Sequence, residues 1–339
     1  MRTREGQRGL LFICILAVVL LALLLLSFGL GRYAVPPAEV IRILLSRIFP
    51  VTPSWTEQME TAVISIRLPR ILLACMVGGC LSAAGTAYQS VFRNPMAAPD
   101  ILGASSGACF GVALAILLGF SRSGVTALAF VSSLLSVALV YAIARRAKGN
   151  PVTMLLLAGV MIGSLFSACT SYVKLVADPT NQLPAITYWL MGSLSGTRMN
   201  AVGFAAVPML IGLAPLLALR WRINLLTLDE EEARSMGVNT GRLRLVVILC
   251  ATVLTAACVA VSGMIGWVGL VIPPLSRKLV GSNCRYLLPA STIFGAIFLL
   301  LVDNISRNLL ATEIPIGILT AFVGAPFFLY LMTRKEQLL

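Results

Sequence analysis

Histidine is absent from this chain of 339 residues, and only 13 side chains are Asp or Glu. The first absence removes the commonest metal ligand and the commonest general base. No GxxxxGK[ST] phosphate loop occurs, so the chain has no nucleotide-binding motif of that kind. No CxxC pair occurs either. The eight cysteines (Cys14, Cys75, Cys80, Cys109, Cys169, Cys250, Cys258 and Cys284) are scattered, mostly within apolar runs, and read as small buried hydrophobes. Neither a metal site nor a cofactor is expected. Charged residues make up 12% of the chain, about half the usual share of a soluble domain. That excludes an ordinary water-soluble globule.

What is present is a series of apolar runs of roughly 20 residues, each long enough to cross about 30 Å of hydrocarbon as a helix. The expected fold is therefore all-α: a polytopic membrane protein forming a single transmembrane domain over residues 1–339. Spans are expected at about 9–31, 62–84, 101–120, 123–144, 152–176, 200–219, 242–262, 264–280, 286–307 and 314–333. The first run, Leu10 to Leu30, is too long for a signal-peptide core and has no small-residue cleavage site after it, so it reads as a retained helix. Residues 186–196, ITYWLMGSLSG, are short and rich in Gly and Ser, which suits a re-entrant or interfacial helix better than a span.

An even number of spans puts both termini on one side, and basic residues choose the side. With the N-terminus in the cytoplasm, seventeen of the 26 Lys and Arg residues fall in cytoplasmic segments, among them Arg145, Arg146, Lys148, Arg242 and Arg244. The remaining nine, including Arg42, Arg47, Arg67, Arg70, Arg122, Arg198 and Arg307, fall outside. This bias orients the chain with both termini cytoplasmic. The formal charge of +13 is then mostly an insertion signal, and no nucleic-acid partner is expected.

Gly103, Gly107 and Gly111 recur at every fourth residue, as do Gly79, Ala83 and Ala87. Small residues at this spacing let helices approach closely, and lining a pathway is the other use. Almost every charge maps to a helix end or a loop. That disfavours an ion-coupled secondary carrier and an intramembrane enzyme, because both need ionisable groups at mid-membrane. A transport device whose energy arrives from another subunit remains.

Five blocks give this a specific form: RLPR at 67–70, QSVFRNPMAAPDILGASSGA at 89–108, LDEEEARSMGV at 228–238, GMIGWVGLVIPPLSRKLVG at 263–281, and LLPASTIFGAIFLLLVDNISR followed by EIPIGILTAFVGAPFFLYLM. Together they resemble the FecCD family of ABC-transporter permeases, the membrane subunits of bacterial importers for iron-siderophores, haem, cobalamin and molybdate. The resemblance implies a homodimer in the bacterial cytoplasmic membrane, served by two cytosolic ATPases and an extracytoplasmic binding protein that delivers a metal chelate.

The same resemblance assigns roles to residues. Arg67, Arg70 and Arg307 would dock carboxylates of the binding protein, and Pro69 would sit in the first turn of the second span; the alternative is that these arginines reach to the lipid headgroups. Asp303 could pair with Arg307 at i, i+4 or take part in docking. Asn94 and Met96, with Thr153 and Met154, would form a cytoplasmic gate. Pro274 stands where the family usually has histidine, and the pair Pro273–Pro274 suggests a kink or break near the inner end of the eighth span.

The run Asp229, Glu230, Glu231, Glu232 places four of the 13 acids together. Four acids in the membrane would cost on the order of 10 kcal/mol, so they are cytosolic. Asp229 can cap a helix whose first turn holds the three glutamates, where the dipole favours negative charge. Ala233, Arg234, Ser235 and Met236 would continue that helix, and Gly237 would end it. In the family this region, here about 224–240, couples to the ATPase.

Overall fold

The computed structural model describes residues 4–333 apart from 32, 51, 229–231, 233, 234 and 311. Among the described residues every regular element is helical. In chain order we label α1 (Arg4–Gly29), α2 (Pro37–Leu45), α3 (Glu57–Phe92), α4 (Ala104–Leu117), α5 (Arg122–Arg146) and α6 (Pro151–Val176). The series continues with α7 (Gln182–Leu190), α8 (Met199–Ile223), α9 (Thr240–Ser262), α10 (Val268–Val280), α11 (Cys284–Asn308) and α12 (Ile316–Thr333). Each expected span has a counterpart, and a short helix forms at Gln182–Leu190, ahead of the expected 186–196, whose Gly- and Ser-rich second half is not helical. Seven of the described helices are long and apolar enough to cross a membrane. By contrast, α4, at 14 residues, rises only about 21 Å.

Helix α3 is the central post. Of its most apolar stretch 83% is buried, against 11% in peripheral α1. Its most extensive interface is with α11, and glycine makes this possible: a Cβ on Gly78 would lie 2.3 Å from the Gly295 carbonyl oxygen. The Gly103–Gly111 repeat does the same for α4 and α5. A Cβ on Gly107 would lie 2.6 Å from Ser136 Cβ, and one on Gly111 would lie 2.6 Å from the Leu128 carbonyl. Close packing is thus the use of these glycines. All eight cysteines are free thiols; Cys14 alone is exposed, on α1.

Two expectations need correction. Pro69 is not in the first turn of the second span, because the helix begins at Glu57, where Thr56 Oγ1 accepts from Met59 N at 3.3 Å. Residues Thr61–Arg67 adopt a π-helix, in which Leu68 N donates to Val63 O. The wider turn absorbs the missing N–H and the ring clash of Pro69 and carries the helix through it. Nor do Pro273 and Pro274 break α10, which is helical from Val268 to Val280. They lack the N–H groups that would serve the carbonyls of Gly269 and Leu270. The Gln89 side-chain amide on α3 donates to both of those oxygens at 3.4 Å, and Arg277 Nη2 donates to Gln89 Oε1 at 3.2 Å.

Candidate functional site

The C-terminal ends of α1 and α11 meet the N-terminal part of α3 in an ionic cluster. Arg67, Arg70, Arg307 and Asp303 are 4%, 6%, 7% and 0% exposed. Arg70 Nε donates to Asp303 Oδ1 at 2.8 Å, and its Nη1 donates to both carboxylate oxygens of Glu313 at 2.9 Å. Arg307 Nε faces Asp303 Oδ2 at 3.7 Å, an ion pair too long for a hydrogen bond.

Arg67 spends its guanidinium differently, donating to the carbonyls of Phe28 and Tyr33. Arg307 Nη2 donates to Ser27 O at 3.0 Å and also to Asn304 Oδ1, and Asn304 Nδ2 reaches Ser27 Oγ at 2.7 Å. Phe28 and Ser27 lie in the last turn of α1, where carbonyls have no partner within the helix and cations are favoured. The cluster therefore fastens the C-terminal end of α1, whose middle packs through Phe12, Leu16 and Leu23 against Leu287, Ala290 and Ile297 of α11. It also contains three arginines and two carboxylates, so it carries an excess positive charge.

Short helix α2 packs beside this region, against α1 and the π-helical turn of α3. In α2, Arg42 Nη1 pairs with Glu39 Oε1 at 3.1 Å, and Arg47 Nη2 pairs with Glu60 Oε1 of α3 at 2.6 Å. Nearby, Leu190, Met191, Met264, Trp267, Ile318 and Phe322 line an open apolar hollow of about 570 Å³. Trp267 has φ of 70°, a strained value for a bulky residue, and its side chain packs where a Cβ on Gly324 of α12 would fall, 2.6 Å from its own Cβ.

At the other end, Asn94 Oδ1 accepts from Met96 N at 2.9 Å, which makes the turn after α3. Asn150 Oδ1 accepts from Val152 N at 2.9 Å and from Thr153 N at 3.5 Å, capping α6. Met154 lies across Gly149. Asn94, Met96 and Thr153 are exposed. Among the described residues no hydrogen bond joins the Asn94–Met96 turn to Thr153 or Met154.

The segment after α8 is anchored from two sides. Arg93, left-handed at φ 47°, donates from Nε to Leu226 O at 3.0 Å. Asn224 Nδ2 donates to Asn283 Oδ1 at 2.9 Å, and its Oδ1 accepts from Cys284 N at 2.7 Å. Asp229, Glu230, Glu231, Ala233 and Arg234 lie outside the described residues. Glu232 and Ser235 are helical, with Ser235 Oγ donating to Glu232 O at 2.7 Å, and Met236 is exposed. Gly237 has φ of 76°, a left-handed conformation suited to a helix end.

The FecCD transport family pattern matches residues 19–334. The chain belongs to the FecCD transport family. It is 41% identical over 322 residues to the molybdate import system permease protein MolB of Haemophilus influenzae, covering 95% of both chains. It is 39% identical over 321 residues to a probable iron chelatin transport system permease protein of Helicobacter pylori, covering 95% of this chain and 97% of the relative. A solved structure described as an inward-facing metal-chelate type ABC transporter superposes with TM-score 0.86 at 40% identity, over 95% of this chain and 98% of that one.

For this FecCD permease, the five sequence blocks pointed to the right family. They did not reveal that Glu313 completes the ionic cluster, although it stands in the quoted EIPIG block. They also left Gln89 without a role, since its service to α10 depends on two prolines about 180 residues away.

Proposed function

We propose that the chain is the transmembrane permease subunit of an ATP-driven importer for a metal chelate, a ferric siderophore, in a bacterial cytoplasmic membrane. It works as a homodimer with two cytosolic ATPases and an extracytoplasmic binding protein, and it does no covalent chemistry itself. The observation that carries this reading is family membership over residues 19–334, with the fold of a metal-chelate type transporter along nearly the whole chain. Alternating access supplies the mechanism: ATP binding and hydrolysis shift the dimer between outward-open and inward-open states. A second reading, with molybdate as cargo, is favoured by the 41% identical molybdate relative.

The outer surface over α2, the first turns of α3 and the α11–α12 connection would receive the binding protein. Arg67, Arg70 and Arg307 stand behind that surface, and their excess positive charge would attract its carboxylates. An incoming carboxylate would compete with Glu313 for Arg70. Asn94, Met96, Thr153 and Met154 lie at the cytoplasmic ends of α3 and α6 and would close the pathway between two copies. The segment Asp229–Gly237, in which Met236 is exposed, would engage the ATPase. The apolar hollow at Trp267 is open, and a second copy would enclose it.

Co-purification and transport test this together. An ATPase and an extracytoplasmic binding protein should accompany the chain, and proteoliposomes should accumulate cargo only with ATP and loaded binding protein. Transport by the chain alone down an ion gradient would replace this reading with a secondary carrier. Whether a ferric siderophore or molybdate on the binding protein stimulates ATP hydrolysis separates the two cargoes.

A further inference from the structure

Between α5 and α9 the surface is cleft, and the two ends of the cleft differ in chemistry. Toward mid-membrane it is an apolar groove of about 740 Å³, lined by Leu134, Val137, Ala138, Ile248, Leu249 and Val253. Leu135, Leu139, Val246 and Leu249 are exposed on the same helices, so this side of the chain is turned to hydrocarbon. At the helix ends the groove runs into a second cavity of about 310 Å³, which shares Tyr141, Arg145, Leu245 and Ile248 with it and adds Gly149 and Arg244. No Asp or Glu lines either space among the described residues.

Two arginines occupy this mouth. Arg145 lies over the Tyr141 ring, with Cζ 5.9 Å from the centroid. Arg244 has its Nε buried without a hydrogen-bond partner, a costly state for a cationic donor. Arg146, Lys148 and Arg242 extend the basic surface around it. By the charge bias, this end of α5 and α9 meets the cytoplasmic leaflet, where anionic lipids concentrate. A headgroup phosphate fits the arginines, and an acyl chain fits the groove.

We propose that the α5–α9 cleft is a site for one anionic phospholipid, its phosphate held by Arg145 and Arg244 and one acyl chain laid along Ala138, Leu249 and Val253. The lining residues lie outside Asp229–Gly237, the segment proposed to meet the ATPase.

Native mass spectrometry of the full chain, delipidated in detergent and reloaded with dioleoyl phosphatidylglycerol or dioleoyl phosphatidylcholine, tests this. The wild-type chain should retain one phosphatidylglycerol in preference to phosphatidylcholine by about tenfold, and Arg145→Gln with Arg244→Gln should erase the preference. Ala138→Phe fills the groove without touching the arginines and should lower retention of both lipids. Equal retention of the two lipids by the wild-type chain overturns the proposal. So does displacement of phosphatidylglycerol by inorganic phosphate combined with no effect of Ala138→Phe, which would mark a site for a free anion. If the double Gln variant aggregates, Ala138→Phe and the charge-keeping pair Arg145→Lys, Arg244→Lys decide the matter. The lysine pair should keep the preference for phosphatidylglycerol, and its loss with the fold intact counts against a phosphate contact.

Discussion

Arg70 holds two carboxylates from inside its own chain, and one of them, Asp303, is fully buried. Removing one partner of a buried pair leaves the other charge uncompensated, which costs roughly 3–5 kcal/mol. Arg70→Met should therefore lower the thermal unfolding midpoint of the detergent-solubilised chain substantially. Adding Asp303→Leu should recover much of the loss, because it removes the orphaned charge. Glu313→Gln should cost about 1 kcal/mol or less, since the Glu313 side chain is 27% exposed and solvent screens the pair. If Arg70→Met unfolds no earlier than wild type, the cluster is not a structural fastening. This chemistry was only half legible in the sequence. Spacing within a helix suggests the Asp303–Arg307 pair, which the structure holds at 3.7 Å. The closer partner of Asp303 lies 233 residues away in α3, and no local rule reaches that far.

Among the helices, the long ones were legible because continuous apolar runs have one reading in a membrane, while the short ones were less clearly bounded. Helix α2 escaped: its nine residues bury only Val40 and Ile43, and they present arginine and glutamate to the surface. Helix α3 runs beyond both ends of the expected 62–84 span, because a π-turn carries it through Pro69 and because Thr56 caps it earlier. Helix α10 stays whole through two adjacent prolines because α3 supplies donors from outside. Gln89→Leu should expose the unserved carbonyls of Gly269 and Leu270, costing about 1–3 kcal/mol, and should reduce hydrogen-exchange protection in α10. Restoring an internal donor with Pro274→Ala in that background should return part of the protection. If Pro274→Ala gives no recovery, Gln89 acts through packing alone, and the donor account fails.

Across the whole molecule, α3 joins the two ends at which partners are proposed to bind. From Arg70 to Arg93 it spans roughly 35 Å, running from the ionic cluster to the hydrogen bond that holds Leu226 O ahead of the acidic run. The orientation is testable first: an impermeant maleimide should label Ser54→Cys on intact cells, and Ser235→Cys only after permeabilisation. The reverse pattern would invert every assignment of sides. The link itself is tested at Arg93, whose backbone is left-handed at φ 47°. Glycine adopts that conformation freely, so Arg93→Gly deletes the side chain without straining the turn. Losing a charge-assisted hydrogen bond worth about 1.5–3 kcal/mol should let the segment at 224–227 move independently of α3. The proposed complex should then still assemble, since the acidic loop is intact, while stimulation of ATP hydrolysis by loaded binding protein should fall by about tenfold. Neutralising Glu230, Glu231 and Glu232 to Gln should give the opposite pattern if those acids grip the ATPase directly, with assembly weakened first. If Arg93→Gly leaves the stimulated rate unchanged, the signal does not pass along α3, and the second anchor, Asn224 on Asn283 and Cys284, becomes the route to test through Asn224→Ala.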